Sequence, residues 1–80
     1  MNIIHQPEQY RFVSMIDNQE ARLEYELLPR HAINFTYTFV PESLRGRGIA
    51  EKLVRTALAW AKEQGFTMEA SCWYVRRFLR

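Results

Sequence analysis

Two stretches of the chain gather residue types that can do chemistry. The first is Arg45-Gly46-Arg47-Gly48-Ile49-Ala50, where two glycines alternate with two guanidinium groups just ahead of a helical pattern. The first turn of a helix leaves four amides without intrahelical partners and carries about half a positive charge. An anion seated there satisfies both. Glycines at 46 and 48 let the backbone approach such an anion and adopt positive φ, and Arg45 and Arg47 add charge-assisted donors. The competing reading is a turn that needs glycine for geometry alone and feeds a helix with solvated arginines. No lysine and hydroxyl pair follows the glycines, so the phosphate-loop pattern of nucleoside triphosphatases is absent. The dinucleotide fingerprint fails too, because its third glycine position is Glu51. The second stretch is Ser71-Cys72-Trp73-Tyr74, which holds the only thiol. Cys72 is either a small apolar packing residue or, if its surroundings favour the thiolate, a nucleophile. His5 and His31 have no partner at a meaningful spacing and read as surface residues, His5 in a flexible terminus and His31 in a turn.

The elements that must hold these stretches can be read from hydropathy period. Tyr10 to Ile16 is enriched in aromatic and β-branched residues and reads as a first strand, closed by an Asp17-Asn18-Gln19 turn. Ala21, Leu23, Tyr25 and Leu27 alternate with Arg22, Glu24 and Glu26, the pattern of a half-buried second strand. After the Pro29-Arg30-His31 break, Ala32 to Val40 forms a third strand, with Ile33, Phe35, Tyr37 and Phe39 expected on one face; Pro41 ends it. The period then becomes helical. Ile49, Ala50, Leu53, Val54, Ala57, Leu58 and Ala61 share a face, Glu51 and Arg55 support one another four residues apart, and Gly65 is placed to end the helix. Trp60 sits on the flank, as core or as an interface residue. Phe66 to Cys72 gives a fourth strand. Trp73 to Arg80 gives a final short helix anchored by Trp73 or Tyr74, Phe78 and Leu79. The order β-β-β-α-β-α is an α+β fold in which strands three and four flank the long helix and run parallel.

Composition bounds the rest. Eighty residues make one domain, 1–80, in which each large apolar side chain matters; 48% hydrophobic and 14% aromatic content meets that need and argues against disorder. The net charge of +2 tolerates an anionic ligand without demanding nucleic acid, since nine acidic residues are interleaved with the basic ones. One cysteine excludes an internal disulfide or a multi-thiolate metal site, so no metal is expected, and a reducing cytoplasm is the expected setting. The N-terminus is too polar for a signal peptide and no apolar run could span a bilayer.

Arg45-x-x-Gly48-x-Ala50 matches the pattern Gln/Arg-x-x-Gly-x-Gly/Ala of the GNAT acetyltransferase superfamily, in which the motif follows a strand and opens a long helix. Val40 to Ala50 as a whole, and the ending Ser71-Cys72-Trp73-Tyr74-Val75, resemble the short stand-alone subfamily of that group. The likeness extends over about residues 10–80. It implies a minimal GNAT-like core with strands three and four splayed around acetyl-CoA. The pyrophosphate would sit on amides from Arg45 through Gly46, Arg47, Gly48 and Ile49 to Ala50. The pantetheine would lie along strand three near Phe39 and Val40, and the thioester near Ser71 and Cys72. Tyr74 then becomes a candidate general acid toward the departing thiolate, against simple packing of an aromatic at a helix start, and Cys72 a candidate acyl carrier.

Two departures stand out. Where the short subfamily usually carries a His and a Glu before the Val-Pro pair, this chain has Tyr37 and Phe39. The acceptor-side elements of longer relatives have no counterpart, so the acceptor side is expected to be open or completed by a second copy. The implied activity is acetyl transfer from acetyl-CoA to an amine of unread identity. The alternatives are a non-catalytic CoA or acyl-CoA binding module and, more remotely, a nucleic-acid binder prompted by the Arg-Gly-Arg-Gly run. The acidic second strand, with Glu20, Glu24 and Glu26, speaks against the last. A homodimer would supplement a thin core.

Overall fold

In the computed structural model, which describes residues 1–79, the chain runs β1 (Ile4–Gln6), β2 (Arg11–Ile16), β3 (Gln19–Leu28), β4 (Ala32–Phe39), α1 (Ile49–Glu63), β5 (Thr67–Ala70) and α2 (Trp73–Arg76), with short 3₁₀ turns at Pro7–Gln9 and Glu42–Leu44. One five-stranded sheet in the order β1-β2-β3-β4-β5 carries them, antiparallel except for the parallel pair β4–β5. This is the α+β layout expected from the hydropathy periods, with an additional first strand.

Local chemistry explains the joints. Asp17 and Asn18 both take positive φ (52° and 61°) between the paired Ile16 and Gln19, the two-residue turn whose twist suits a hairpin. Arg30 and His31 are left-handed as well, at 66° and 57°, so β3 turns back tightly into β4. At the end of α1, Gly65 (φ 79°) donates to Lys62 O while Phe66 N–H reaches Ala61 O, a Schellman closure. His31 stacks on Phe66 and its Nε2 lies 2.7 Å from Gln64 O, adding a side-chain cap at the same end.

The core lies between α1 and one face of the sheet. Leu53, Val54, Ala57 and Ala61 of the helix and Ala21, Leu23, Ile33 and Phe35 of the strands have no exposed surface. The face expected for the third strand is only half right. Tyr25 pairs with Phe35 but Glu24 pairs with Tyr37, so Thr36 is an extra residue in β4. That bulge reverses the alternation beyond it. Ile33 and Phe35 stay in the core, while Tyr37 (46% exposed) and Phe39 turn to the opposite face, where the Arg22 guanidinium stacks over both rings at 5.6 and 5.0 Å.

Two further expectations are corrected. The N-terminal segment is not a flexible tail: β1 pairs with β2, and His5 stacks on Phe12 with ring centroids 4.1 Å apart. The last helix is one turn, Trp73–Arg76; Tyr74 and Phe78 pack against the core as expected, but the fully buried anchor is Val75 and Trp73 is 69% exposed. An isolated aromatic pattern did not reveal which side of so short a turn faces inward. Arg80, placed in that helix by its sequence, lies outside the described residues. Among the described residues, no helix is long and apolar enough to cross a membrane.

Candidate functional site

The loop before α1 is held from below. Leu44, in the 3₁₀ turn, is 1% exposed and fixes the loop to the core. Gly46 and Gly48 then take φ of +85° and +75°, and a Cβ at either position would meet nothing within 4 Å. Glycine is therefore required here by backbone angle and not by crowding, and the space beside the loop is open. The first bond of the helix is Lys52 N–H to Gly48 O (3.2 Å), which leaves the amides ahead of it to find acceptors outside the helix. Arg45 is tied to the end of β4, its Nε donating to Val40 O at 3.0 Å, which leaves its terminal nitrogens for another acceptor. Arg47 goes the other way. Its Nη1 lies 3.4 Å from Asp17 Oδ2 at the β2–β3 turn, an exposed pair of small energetic weight.

Beside the loop, β4 and β5 part. Their pairing ends at Phe35 and Ala70, and Phe35 O accepts the last two bonds, from Ser71 N–H and Cys72 N–H, both at 3.1 Å. Asn34 clamps this fork: its Oδ1 accepts from Ser71 N–H (2.9 Å) and its Nδ2 donates to Glu26 Oε2 (2.8 Å). Beyond it, a cleft of about 680 Å³ opens between Thr36–Val40 on one side and Ser71–Tyr74 on the other. It adjoins a second hollow of about 180 Å³ against Gly46, Gly48 and Ile49; Val40, Arg45, Ala50 and Tyr74 line both. Thr38 Oγ1 and Cys72 Sγ approach across the cleft to 3.6 Å.

The structure thus brings Phe39, Val40, Arg45, Gly46, Gly48, Ile49, Ala50, Cys72 and Tyr74 around one continuous depression. Arg47 does not join them; it borders a separate groove with Met15, Ile16 and Lys52. Cys72 is half-buried, and Tyr74 packs on Trp73 and Phe78. Sequence reasoning missed Thr36, Thr38 and Asn34. Thr38 turns inward only because the bulge at Thr36 reverses the strand, and no hydropathy pattern marks a one-residue insertion. Asn34 carried no signal of its own, since its role depends on where β5 ends. Among the described residues, no three His, Cys, Asp or Glu side chains are grouped to hold a metal ion.

A separate polar pair lies away from the cleft. His5 Nε2 is 2.6 Å from the Tyr25 hydroxyl, inside an aromatic cluster with Phe12 and Trp60. Burial lowers the His5 pKa from its ordinary value, opposed by the Glu8 carboxylate, and burial raises that of Tyr25, with Tyr10 adding to the effect. The contacts of Trp60 account for it as a packing residue.

A sheet covered by helix on one face, a parallel strand pair that forks, and a glycine-flanked helix start at the fork define an N-acetyltransferase type of fold. A family model described as GCN5-related N-acetyl-transferase matches residues 11–80. The chain belongs to that family. It is 33% identical over 63 residues to Protein NATD1 of Bos taurus and 32% to that of Homo sapiens, covering 79% of this chain and 56% of each relative. The chain therefore spans a little over half the length of these curated relatives. The solution structure of a GCN5-like protein from Staphylococcus aureus superposes with a TM-score of 0.75 at 26% identity, covering 98% of this chain and 76% of the other.

Proposed function

We propose that the protein is an acetyl-CoA-dependent N-acetyltransferase that binds CoA in the β4–β5 fork. The observation that carries this reading is the continuity of two features: the cleft beside Thr36–Val40 and the open, positive-φ glycine loop at the start of α1. A long ligand with an extended arm at one end and a diphosphate at the other fits that pair. The diphosphate takes the amides between Arg45 and Ala50 and the Arg45 guanidinium, where the helix start favours negative charge. The β4 backbone past the bulge has no β5 partner, so it offers amides and carbonyls to the amide groups of the arm, much as a strand edge accepts a peptide.

Chemistry at the fork needs few groups. The thioester end lies beside Ser71 and Cys72; the amine nitrogen attacks the thioester carbonyl, the N–C bond forms and the C–S bond breaks. Tyr74, which lines both hollows, is assigned the proton donor to the departing sulfur, and its phenolate regains the proton that the nitrogen loses as the amide forms. Positioning of the two reactants supplies most of the acceleration, with amide donors stabilising the oxyanion. Cys72 as a transient acetyl carrier is a variant of the same scheme.

The test is CoA release from acetyl-CoA in the presence of proteins, polyamines and small amines. Release above the no-enzyme rate for at least one class supports transfer. Tight CoA binding with no release across the whole set favours the alternative, a non-catalytic CoA or acyl-CoA module, which the Tyr37 and Phe39 positions suggest.

A further inference from the structure

We propose that the acceptor is a planar aromatic amine, uncharged at neutral pH, held by two aromatic walls that line the cleft; this rests on the acetyltransferase reading above. The first wall is Tyr37 and Phe39 of β4, with rings nearly parallel (12°) and 6.5 Å apart. The second is Trp73 and Tyr74 of α2, whose rings meet edge to face (89°) with centroids 5.8 Å apart. All four residues line the cleft, and Tyr37 and Trp73 are 46% and 69% exposed, so their rings are open to a ligand. Each wall is stiffened by a guanidinium. Arg22 lies over Tyr37 and Phe39, and Arg77 over Trp73 and Tyr74 at 6.0 and 5.5 Å. The parallel Tyr37 and Phe39 rings and the exposed Trp73 indole suit the stacked and edge contacts of a flat ring.

Charge and proton chemistry narrow the class. Arg22 is matched by Glu24 (2.7 Å) and Glu20 (3.8 Å), whereas among the described residues neither Arg77 nor the cleft-lining Arg45 has a carboxylate within 4 Å. The mouth is therefore net positive and disfavours a polycationic acceptor. Of the residues lining the cleft, none is Asp, Glu or His; its titratable groups are Tyr37, Tyr74, Cys72 and Arg45. A lysine-like amine is in its free-base form in only roughly one molecule in a few thousand near pH 7, so it needs a base that the cleft does not provide. An amino group conjugated to a ring is already unprotonated and needs none. Its lone pair attacks the thioester carbon, the C–S bond breaks, and the proton released from nitrogen balances the departing thiolate. The products are the N-aryl acetamide and CoA.

The experiment compares kcat/KM for aniline and 4-methoxyaniline with that for ethanolamine, spermidine and a lysine-containing peptide, at saturating acetyl-CoA. The arylamines should lead by at least about tenfold, with a rate nearly independent of pH around neutrality. Tyr37→Ala and Trp73→Ala should each raise the arylamine KM several-fold at saturating acetyl-CoA, by clearly more than they change CoA affinity measured separately. A preference for spermidine or the peptide, equal KM in the variants, or CoA binding without arylamine turnover would overturn the proposal and leave the CoA-site reading standing. Loss of CoA binding itself would remove both.

Discussion

At the residue scale, the loop glycines and the thiol make separable predictions. Gly48 sits at φ +75° with open space around it, so Gly48→Ala introduces strain without a clash. A stability loss of about 1–2 kcal/mol is expected from the left-handed backbone, read from the midpoint of denaturant unfolding, together with weakened CoA affinity as the new methyl group enters the space beside the amides. Unchanged CoA affinity in a folded Gly48→Ala protein would mean that the anion sits elsewhere. For Cys72, intact mass after exposure to acetyl-CoA separates the two chemical schemes. A carrier gains one acetyl group that Cys72→Ser does not, while the direct route leaves both masses unchanged and retains transfer in the serine variant. The motif from Arg45 to Ala50 was legible because each residue type has a local physical reason. The divergence of Arg45 and Arg47 was not, since it depends on Asp17, thirty residues away at another turn.

At the scale of elements, the single extra residue in β4 does most to shape the site. Thr36 turns Thr38 toward Cys72 and swings Tyr37 and Phe39 outward, and a bulge bends its strand, which suits a fork at that point. Deleting Thr36 preserves the sidedness of both halves of the strand and removes only the bend. The shortened protein should therefore keep its far-ultraviolet circular dichroism and cooperative unfolding yet lose most CoA affinity; full affinity would show that the bulge is incidental. The strands, the helix and its glycine stop were legible from period and turn chemistry. The bulge was not, because alternation continues unbroken through Ile33, Phe35, Tyr37 and Phe39. β1 was missed for a related reason: three residues are too few for a period, and their strand character comes from pairing with β2. The His5–Tyr25 contact that ties β1 to the sheet has its own signature. Burial holds the folded His5 pKa below its ordinary 6.5, so the unfolded chain binds more protons in that window. His5 thus makes stability fall as pH drops from neutrality through 6.5 toward the folded pKa. His5→Phe should flatten that part of the stability–pH profile, at some cost to the plateau from the lost bond to Tyr25; an unchanged slope would assign it to other groups.

For the molecule as a whole, α1 packs against β2, β3, β4 and β5 on one face of the sheet, and Arg22, Tyr37 and Phe39 lie together on the other. The proposed sites for donor and acceptor adjoin: Tyr37, Phe39, Trp73 and Tyr74 line the cleft, and the hollow against the glycine loop shares four of its lining residues. The family was legible from two short motifs because they fall where a strand meets a helix and where the last strand ends. The proposed acceptor was not, because the surfaces assigned to it arise only where the bulge and the one-turn α2 come together. The central claim is that CoA occupies the fork, and a residue-resolved titration tests it most directly. With CoA added to isotope-labelled protein, the backbone amides of residues 45–50 and 36–40 should shift together along one binding curve, while those of β1 and the β2–β3 turn stay in place. No response in either segment at millimolar CoA, or a response confined to the Arg47, Met15 and Lys52 groove, would contradict it.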